Sequence, residues 1–448
     1  MTLHFRILYA LYRFSSGRWH WAQRRFTRPG LAVLVALILA ALLAPDTDNN
    51  LIYQVLPLLL LLLVVAVCWG RTLRVRFTAT RRLPRFGTAG RPLDYRIMVK
   101  NLSSKTHNGL TLLENLVDPR PSFEEFMARE RAEQKALRSF RFRDSQRASS
   151  FRLASVKEAS VPPLAPDEEV EVRVELTPLR RGTLRLTGVT LARPDPLGLV
   201  RAATTLPLPQ SVLILPRRYP VPAIALPGTA QYQEGGVALA SSVGQSDEYV
   251  ALRDYRHGDP LRHIHWRSWA RVGRPVVKEF EDEFFVRHAL VLDTFTDHQN
   301  GDVFEEAVSV AASFACTLPT QESLLDLLFV GPQSYCFTAG RGVAHVEQML
   351  EILASVQACT DQPFRTLEHL VLNHVKAVSG CICVLLGWDD ERRGFVGKLI
   401  ALGLPVRVLV IVRPGESQRL EPGPLSDAPE RFSVLEIGQV ETGLAKLK

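Results

Sequence analysis

The sequence predicts a multidomain α+β protein with three parts: an N-terminal transmembrane helical hairpin, a β-sandwich-like domain and a C-terminal α/β domain. Three observations support this prediction. Two apolar runs without charge lie near the N-terminus, short alternating strands without intervening helices follow, and strands then alternate with helices to the end. A chain of 448 residues is long enough for two or three such domains.

The N-terminal apolar runs predict two transmembrane helices within residues 1–71. Gly30–Ala44 and Leu51–Trp69 contain no charged residue and are separated by the short polar run PDTDNN. The second run has 19 residues, which is close to the ~20 that span a bilayer as a helix. The first run is shorter, but it is equally free of charge, so we expect a membrane hairpin.

Positive charge is concentrated at the same end of the chain. Residues 1–91 hold 13 of the 54 Lys and Arg residues but only two of the 46 acidic residues, so the remainder of the chain is nearly balanced. Arginines flank both apolar runs, whereas the loop between them has none, and we therefore expect both flanks to be cytoplasmic. The balanced remainder argues against nucleic acid as a partner.

Residues 72–216 predict the β-sandwich-like domain. The stretches LDYRIMVKNLSS (93–104) and EEVEVRVELTPLRRGTLRLTG (168–188) alternate apolar and polar residues and are broken by turn residues. Several short strands without helices between them are typical of two packed sheets. A charged stretch at about residues 118–159 interrupts this pattern and predicts a solvated helix or a mobile insertion.

Residues 286–448 predict the α/β domain. HALVLDTF (288–295) is typical of a buried strand, and DVFEEAVSVAASFACTL (302–318) is typical of an amphipathic helix that begins at an aspartate. Three further strand patterns, SLLDLLFVG, CICVLLG and PVRVLVIV, are separated by two further helical patterns. This alternation predicts an open, mostly parallel sheet.

The junction between these domains, residues 217–285, contains the most unusual stretch of the chain, ALRDYRHGDPLRHIHWRSWARVGRPVVKEFEDEF (251–284). Between Ala251 and Glu283, seven basic residues alternate with six acidic ones. Nucleic-acid binding needs uncompensated positive charge, so this balance favours ion pairs within the protein. We expect Arg–Asp pairs to lock the segment across the domain junction, with Trp266 and Trp269 packed beneath it.

Three histidines leave a metal site and an active site open as alternatives. His263 and His265 would point to the same side of a strand, but no second pair of ligands follows them, and the neighbouring arginines would repel a cation. The sequence has no Gly-x-Ser-x-Gly turn and no glycine-rich phosphate loop, so no catalytic residue is assigned. The enzyme alternative is a hydrolase or transferase within residues 252–280 that uses Asp259 or a histidine such as His257 as acid or base.

The junction stretch resembles the signature of the bacterial domain-of-unknown-function family 58, roughly L-R-x-Y-x-x-G-D-x-x-R-x-I-x-W-x-x-x-A-R-x-G-x-x-x-V-K-x-F. Upstream, LRRGTLRLTG and DPLGL are similar to the family's Arg-Gly hairpin and Asp-Pro-x-Gly-Leu element. His257 and His265 depart from the family pattern, which argues further against a shared metal site. The signature residues expected to be structural or to form a docking surface are Arg253, Tyr255, Gly258, Asp259, Arg262, Trp266, Arg271 and Lys278.

The resemblance implies that the C-terminal domain is similar to a von Willebrand factor A domain. The metal-ion-dependent site of such domains has the motif Asp-x-Ser-x-Ser after the first strand, where this chain has Asp293-Thr294-Phe295-Thr296-Asp297. Phenylalanine offers no side-chain oxygen to a hard cation. No cofactor is predicted, but if a divalent metal such as Mg²⁺ binds, its expected ligands are Asp293, Asp297 and Asp389.

The resemblance also implies a functional setting rather than a reaction. Members of this family are often encoded beside MoxR-type AAA+ ATPases and transglutaminase-like membrane proteins. We therefore expect a membrane-anchored adaptor or assembly factor that works with a MoxR-type AAA+ ATPase and possesses no reaction of its own. The expected location is the bacterial inner membrane, crossed more than once, with both termini in the cytoplasm.

Overall fold

The computed structural model confirms a mixed α+β protein with several separate sheets. The chain divides into two compact units, Met1–Arg217 and Arg218–Lys448. The residues that the structure describes are 2–43, 50–72, 75–117, 123, 126–127, 153–222, 251–259, 261–279, 286–296, 301–317, 323–340, 343–416 and 420–447.

Three helices open the first unit: α1 (Thr2–Arg25), α2 (Arg28–Leu43) and α3 (Asn50–Thr72). Within the described residues, one stretch is long and apolar enough to cross a membrane, the 19 residues of α3 from Gln54 to Thr72. Helix α2 is equally apolar but has 16 residues, or about 24 Å at 1.5 Å per residue, which is less than the ~30 Å of a bilayer's hydrocarbon core. The expected crossing by two full-length helices is therefore not supported.

The β-rich part of the first unit consists of two sheets around one hydrophobic core. The sheets have the strand orders β1-β3-β7-β5 and β2-β9-β8-β4-β6. Ile97 of β3 and Leu112 and Leu191 of the other sheet are fully buried in the shared core. The strands are β1 (Phe77–Arg82), β2 (Phe86–Thr88), β3 (Leu93–Asn101), β4 (Leu110–Leu116), β5 (Ala154–Val156), β6 (Ala159–Val161), β7 (Glu169–Pro178), β8 (Gly182–Pro194) and β9 (Arg201–Leu215).

The charged stretch at about residues 118–159 lies mostly outside the described residues. Its C-terminal part is not a helix, because Ala154–Val156 pairs with β7 and Ala159–Val161 pairs with β4. The expectation of a helix or mobile insertion is therefore wrong for these few residues. Val161 is buried in the shared core, so packing of apolar side chains explains why this end joins the two sheets.

A buried ion pair joins the two sheets. Arg81 of β1 donates to both carboxylate oxygens of Glu114 in β4, at 3.0 and 2.8 Å, and neither side chain is exposed. Burial raises the pKa of Glu114, and the guanidinium of Arg81 opposes that shift. Such a pair fixes how the sheets face each other more than it adds stability.

The loop between β8 and β9 attaches the N-terminal helices to the β-rich part. The buried carboxylate of Asp195 accepts hydrogen bonds from the backbone N–H groups of Leu197, Leu199 and Val200, at 3.0, 2.7 and 2.6 Å. This fixes the loop carbonyls, and that of Leu199 accepts from the backbone N–H of Thr27 at 3.1 Å. The hydroxyl of Thr27 also donates to the carbonyl of Gly198.

Close contact at this attachment requires a glycine in α2. A Cβ atom on Gly30 would lie 1.9 Å from the carbonyl oxygen of Leu199. Phe26, which precedes α2, forms an antiparallel bridge with Val200, and both are buried beside Leu63 and Ala66 of α3. The Asp-Pro-x-Gly-Leu element is therefore where the apolar helices contact the β-rich part.

The second unit contains a six-stranded sheet of order β14-β13-β12-β15-β16-β17. Strand β14 is antiparallel to its neighbour, and the other pairings are parallel, in agreement with a mostly parallel sheet. Its strands are β12 (Val286–Leu292), β13 (Ser323–Val330), β14 (Ser334–Ala339), β15 (Gly380–Leu385), β16 (Val406–Val412) and β17 (Phe432–Glu436).

The helices of this unit pack around a sheet that is buried on both faces. Every residue of β15 and β16 is buried, as expected for central parallel strands covered by helices. One short helix belongs to the junction segment and is α4 (Trp266–Val272). The others are α5 (Gly301–Thr317), α6 (Val343–Ser355), α7 (Arg365–His374), α8 (Asp390–Ala401) and α9 (Val440–Ala445).

Candidate functional site

The junction stretch folds into a small unit that we call the signature module, residues 251–259 and 261–279. It consists of β10 (Ala251–Asp254), a 3₁₀ turn (Leu261–His263), α4 (Trp266–Val272) and β11 (Val276–Glu279). Strands β10 and β11 pair in a separate two-stranded antiparallel sheet. Its buried apolar residues are Ile264, Val276 and Val277, so the module has a very small core.

An arginine–aspartate pair closes the module, and both of its residues lie within the module itself. Arg253 of β10 donates to both oxygens of Asp259, at 2.7 and 2.8 Å. The backbone N–H of Arg256 donates to the same carboxylate at 2.8 Å, across a turn in which Gly258 has a φ of 106°. The hydrogen bonds from Arg253 and Arg256 lower the pKa of Asp259 to about 2, so this acid is anionic at neutral pH and poorly suited to general-base work.

Helix α4 has no buried residue. It begins after His265 and ends at Gly273, whose left-handed φ of 73° stops the helix. Trp266 is 64% exposed and stacks on Trp269 with the ring centroids 5.2 Å apart. The expectation that Trp266 packs beneath the segment is therefore wrong, because the small core of Ile264, Val276 and Val277 cannot cover both indoles.

Exposed positive charge accompanies the exposed tryptophan in the module. The side chains of Arg262, Arg267 and Arg271 are exposed, as is Arg256 in the preceding turn. Within the described residues, none of these four forms an ion pair, whereas Arg274 pairs with Asp254 at 3.0 Å. Leu261 and Val272 add exposed apolar surface, at 68% and 54%. The module therefore presents a surface of tryptophan, aliphatic and arginine side chains.

Two signature residues contribute to the framework of the module. The backbone N–H of Tyr255 donates to the carbonyl of Pro275 at 3.0 Å, which extends the pairing of the two strands by one residue. Lys278 lies opposite Leu252 in the β10–β11 pair, and its side chain is partly buried. Phe280, the last signature position, lies outside the described residues.

The three histidines of the module do not form a metal site. No group of three His, Cys, Asp or Glu side chains among the described residues is placed to hold a metal ion. His263 lies in the 3₁₀ turn and His265 precedes α4, so the expected placement on one face of a strand is wrong. His265 instead has Nδ1 at 2.7 Å from the hydroxyl oxygen of Ser268, and His257 is exposed.

The second group of candidate residues lies where β12 and β15 end. Asp293 directly follows β12 and is fully buried. One of its oxygens accepts from the backbone N–H of Phe295 at 2.9 Å, and the other accepts from that of Leu386 at 3.0 Å. Asp389 caps the N-terminus of α8 by accepting from the backbone N–H of Arg392 at 2.9 Å. Asp297 lies outside the described residues.

The structure adds Arg392, a residue that the sequence analysis did not select. Its Nε donates to Asp293 at 2.6 Å, and its side chain also pairs with Asp389. Burial raises the pKa of Asp293, and the guanidinium opposes that shift. The only sequence signal was a cation three residues after Asp389, which also fits an ordinary pair on a helix surface.

Comparison with solved structures finds small β domains that match parts of the chain. The CARDB domain of a Pyrococcus furiosus protein shares 14% identity, covering 31% of this chain and 93% of that one, with a TM-score of 0.17. A cohesin module from Clostridium perfringens shares 12% identity, covering 32% of this chain and 98% of that one, with a TM-score of 0.16. Similarity this low assigns neither fold nor function.

Comparison with protein families and curated sequences is more informative. Residues 251–378 match the family described as "Protein of unknown function DUF58", and this range begins at β10. The uncharacterized protein YeaD of Bacillus subtilis (strain 168) is 28% identical over 184 residues, which cover 40% of this chain and 44% of that protein. The match thus spans less than half of the relative's length. The family match begins with the signature module and continues into the α/β part, and the two matches together support a DUF58 family protein.

Proposed function

We propose that this protein is a membrane-anchored adaptor or assembly factor that works with a MoxR-type AAA+ ATPase and catalyses no reaction of its own. The observation that supports the proposal is the exposed Trp266 on α4, a helix with no buried residue inside the family-matching segment. A transglutaminase-like membrane protein is a further candidate partner. The α/β part would then be the von Willebrand factor A-like domain that the family resemblance implies.

The signature module has the physical properties of a protein-docking surface. An isolated two-stranded sheet is only marginally stable in water, so a small module of this kind gains stability when a partner covers it. Tryptophan and arginine are the residues that most often dominate the binding energy of protein interfaces. The stacked indoles of Trp266 and Trp269 are already ordered against each other, which reduces the entropy lost on binding.

The charge of the module favours an acidic partner. Arg256, Arg262, Arg267 and Arg271 are exposed and make no ion pair within the described residues. Opposite charge on a partner would steer its approach and fix the register of the complex. We therefore propose an acidic protein surface with an apolar groove for Trp266. A lipid surface fits less well, because α4 has seven residues, too few for the extended apolar face of an interfacial helix.

Helix α3 supports the membrane anchor. Only 17% of its apolar stretch is buried within the protein. Leu58, Leu61 and Val64 are 64%, 64% and 49% exposed. A core helix of a soluble protein would bury these side chains, whereas a lipid-facing helix would not. The proposed location is the bacterial inner membrane, with a second crossing by α2 and its neighbouring residues and with both flanks in the cytoplasm.

The proposal is tested by affinity purification of the tagged chain from gently solubilised native membranes, with and without ATP, followed by mass spectrometry. We expect an AAA+ ATPase to be recovered in a nucleotide-dependent way. Trp266→Ala, and separately Arg267→Glu combined with Arg271→Glu, should each reduce its recovery at least tenfold.

Matched controls lie on the surface of the α/β part. Leu402 is 59% exposed and Arg365 is exposed at the start of α7, so Leu402→Ala and Arg365→Glu should leave recovery unchanged. Wild-type protein recovered without any ATPase would refute the partner. Undiminished recovery with the Trp266 and arginine variants would refute the docking surface but not the adaptor role.

One observation favours the enzyme alternative, a hydrolase or transferase within residues 252–280. The 2.7 Å contact between His265 Nδ1 and the hydroxyl of Ser268 resembles a base beside a nucleophile. Ser268 lies in the first turn of α4. A hydrogen bond from there to His265, the residue that precedes the helix, also has a purely structural role. Turnover of activated esters that Ser268→Ala abolishes, while the fold is retained, would establish this alternative in place of the adaptor.

A further inference from the structure

The end of β12 is the position at which a ligand is expected in the α/β sheet. The next strand in the chain, β13, lies on one side of β12, and β15 lies on the other, so the direction of strand succession changes between β12 and β15. Open α/β sheets bind ligands outside the carboxyl ends of their strands at such a switch point. Asp293 follows β12, and its carboxylate accepts from the N–H of Leu386, which follows β15.

The oxygen atoms at this switch point form a donor set suited to a cation. The carboxylates of Asp293 and Asp389 and the carbonyl of Phe295 all contact one guanidinium, that of Arg392. The distances are 2.6 Å from Nε to Asp293 and 3.0 Å from Nη2 to Phe295, and Nη1 pairs with Asp389. Carboxylate and carbonyl oxygens are also the ligands of Mg²⁺ and Ca²⁺.

The guanidinium occupies the space between these oxygen atoms. The side chain of Arg392 is 11% exposed, and that of Asp293 is not exposed at all. The ring of Phe364 covers the guanidinium, whose central carbon lies 5.0 Å from the ring centroid. Both oxygens of Asp293 are already engaged by N–H donors. A divalent ion could reach them only if the guanidinium left its three oxygen partners.

We propose that Arg392 is the resident cation of this switch point and takes the place of the divalent metal that the von Willebrand factor A resemblance implies. A guanidinium and a metal ion cannot share the same oxygens, because both are positive and would be separated by less than about 4 Å in a poorly solvated place. Arg392 is also tethered to α8, so it is never lost by dilution, whereas a free ion is. The α/β part therefore needs no metal at Asp293.

A consequence is that the same oxygens become a cation site when the guanidinium is removed. Arg392→Ala leaves two carboxylates and one carbonyl around a vacated space, which is the arrangement that favours a hard divalent ion with waters completing its shell. This consequence concerns only the residues at the end of β12 and does not depend on the adaptor function.

The test uses the full-length protein in mild detergent, with Mn²⁺ as the probe, and measures bound ion by electron paramagnetic resonance and thermal unfolding with Mn²⁺, Mg²⁺ or EDTA. The wild-type protein should show no Mn²⁺ binding that is lost in Asp293→Asn. Its unfolding temperature should not change when the ions are added. Arg392→Ala should unfold at a lower temperature in EDTA, bind about one Mn²⁺ per chain and recover stability with the ion. Combining it with Asp293→Asn should abolish the binding.

Two further variants make the test specific. Arg393 follows Arg392 on the same helix but donates to the carbonyl of Trp388 at 3.2 Å, so Arg393→Ala should acquire no Mn²⁺ binding. Arg392→Lys keeps a tethered cation and should behave like the wild type. Mn²⁺ binding to the wild type that Asp293→Asn removes would overturn the proposal, even if Arg392→Ala failed to fold. A folded Arg392→Ala that binds no ion would overturn the claim that these oxygens form a cation site.

Discussion

At the scale of single residues, the α/β part contains a buried titratable group outside any proposed site. His288 lies within β12, opposite Leu325 on one side and Gly380 on the other, and is 6% exposed. Burial lowers its pKa from the ordinary value of 6.5, because a charged imidazolium loses its hydration there. The folded chain therefore binds fewer protons at this residue than the unfolded chain does.

The sign of the pH dependence follows from this shift. Below about pH 6.5 the unfolded state takes up a proton that the folded state resists, so the free energy of unfolding falls as the pH decreases. The contribution of His288 to this loss of stability stops growing once the pH is below the pKa of His288 in the folded state. We expect urea unfolding between pH 7.5 and 5.5 to show a smaller loss of stability for His288→Leu than for the wild type. The control is His257→Leu, at an exposed histidine, which should lose as much stability as the wild type. An equal loss for His288→Leu and the wild type would contradict the assignment.

Some residues of the candidate sites could be selected from the sequence and others could not. The alternation of charges in one short segment predicts arginine–aspartate pairing there, and the structure shows that the pair is Arg253–Asp259. Arg392 is 99 residues from Asp293, and only the fold brings them together. The exposure of Trp266 was also missed, since an apolar residue type predicts burial, whereas no residue of the seven-residue helix α4 is buried.

At the scale of elements, periodicity located the central strands and the main helices well. The helix predicted at residues 302–318 is found at Gly301–Thr317, because its apolar spacing matches the face it buries. The edge strands β14 and β17 were not anticipated. Ser334–Ala339 and Phe432–Glu436 are largely half-buried, and such strands lack the continuous apolar run of their central neighbours. Helix α1 at Thr2–Arg25 was not anticipated either.

The loop between β8 and β9 is the element whose failure would separate the apolar helices from the β-rich part. Asp195→Ala would leave the buried N–H groups of Leu199 and Val200, and the partly buried N–H group of Leu197, without their acceptor. Each hydrogen bond to a charged group contributes roughly 1.5–3 kcal/mol. We therefore expect a loss of at least about 3 kcal/mol in the free energy of unfolding, measured by urea titration in mild detergent. Asp195→Asn keeps one acceptor oxygen and should lose less, and equal losses would show that the N–H contacts do not explain the role of Asp195.

At the scale of the whole molecule, the adaptor proposal requires α3 to hold the chain at a membrane. Leu61 and Val64 are exposed near the middle of this helix, and a lysine near the bilayer centre costs about 2.5–3.5 kcal/mol on insertion scales. The doubly substituted Leu61→Lys, Val64→Lys chain should therefore move from the membrane pellet to the supernatant in alkaline carbonate extraction, while the wild type stays in the pellet. Leu402→Lys, an exposed leucine far along the chain, should not move.

The outcome of that fractionation decides how the helices and the signature module are related in function. If the α3 variant is released, folded, and still recovers the ATPase, the membrane anchor and the docking surface are separable, and α3 serves to localise a complex that the module forms. If the released variant no longer recovers the ATPase, binding needs the membrane-bound state. A variant that stays in the pellet without aggregating would refute the role of α3, since about 5–7 kcal/mol of added insertion cost would then have had no effect.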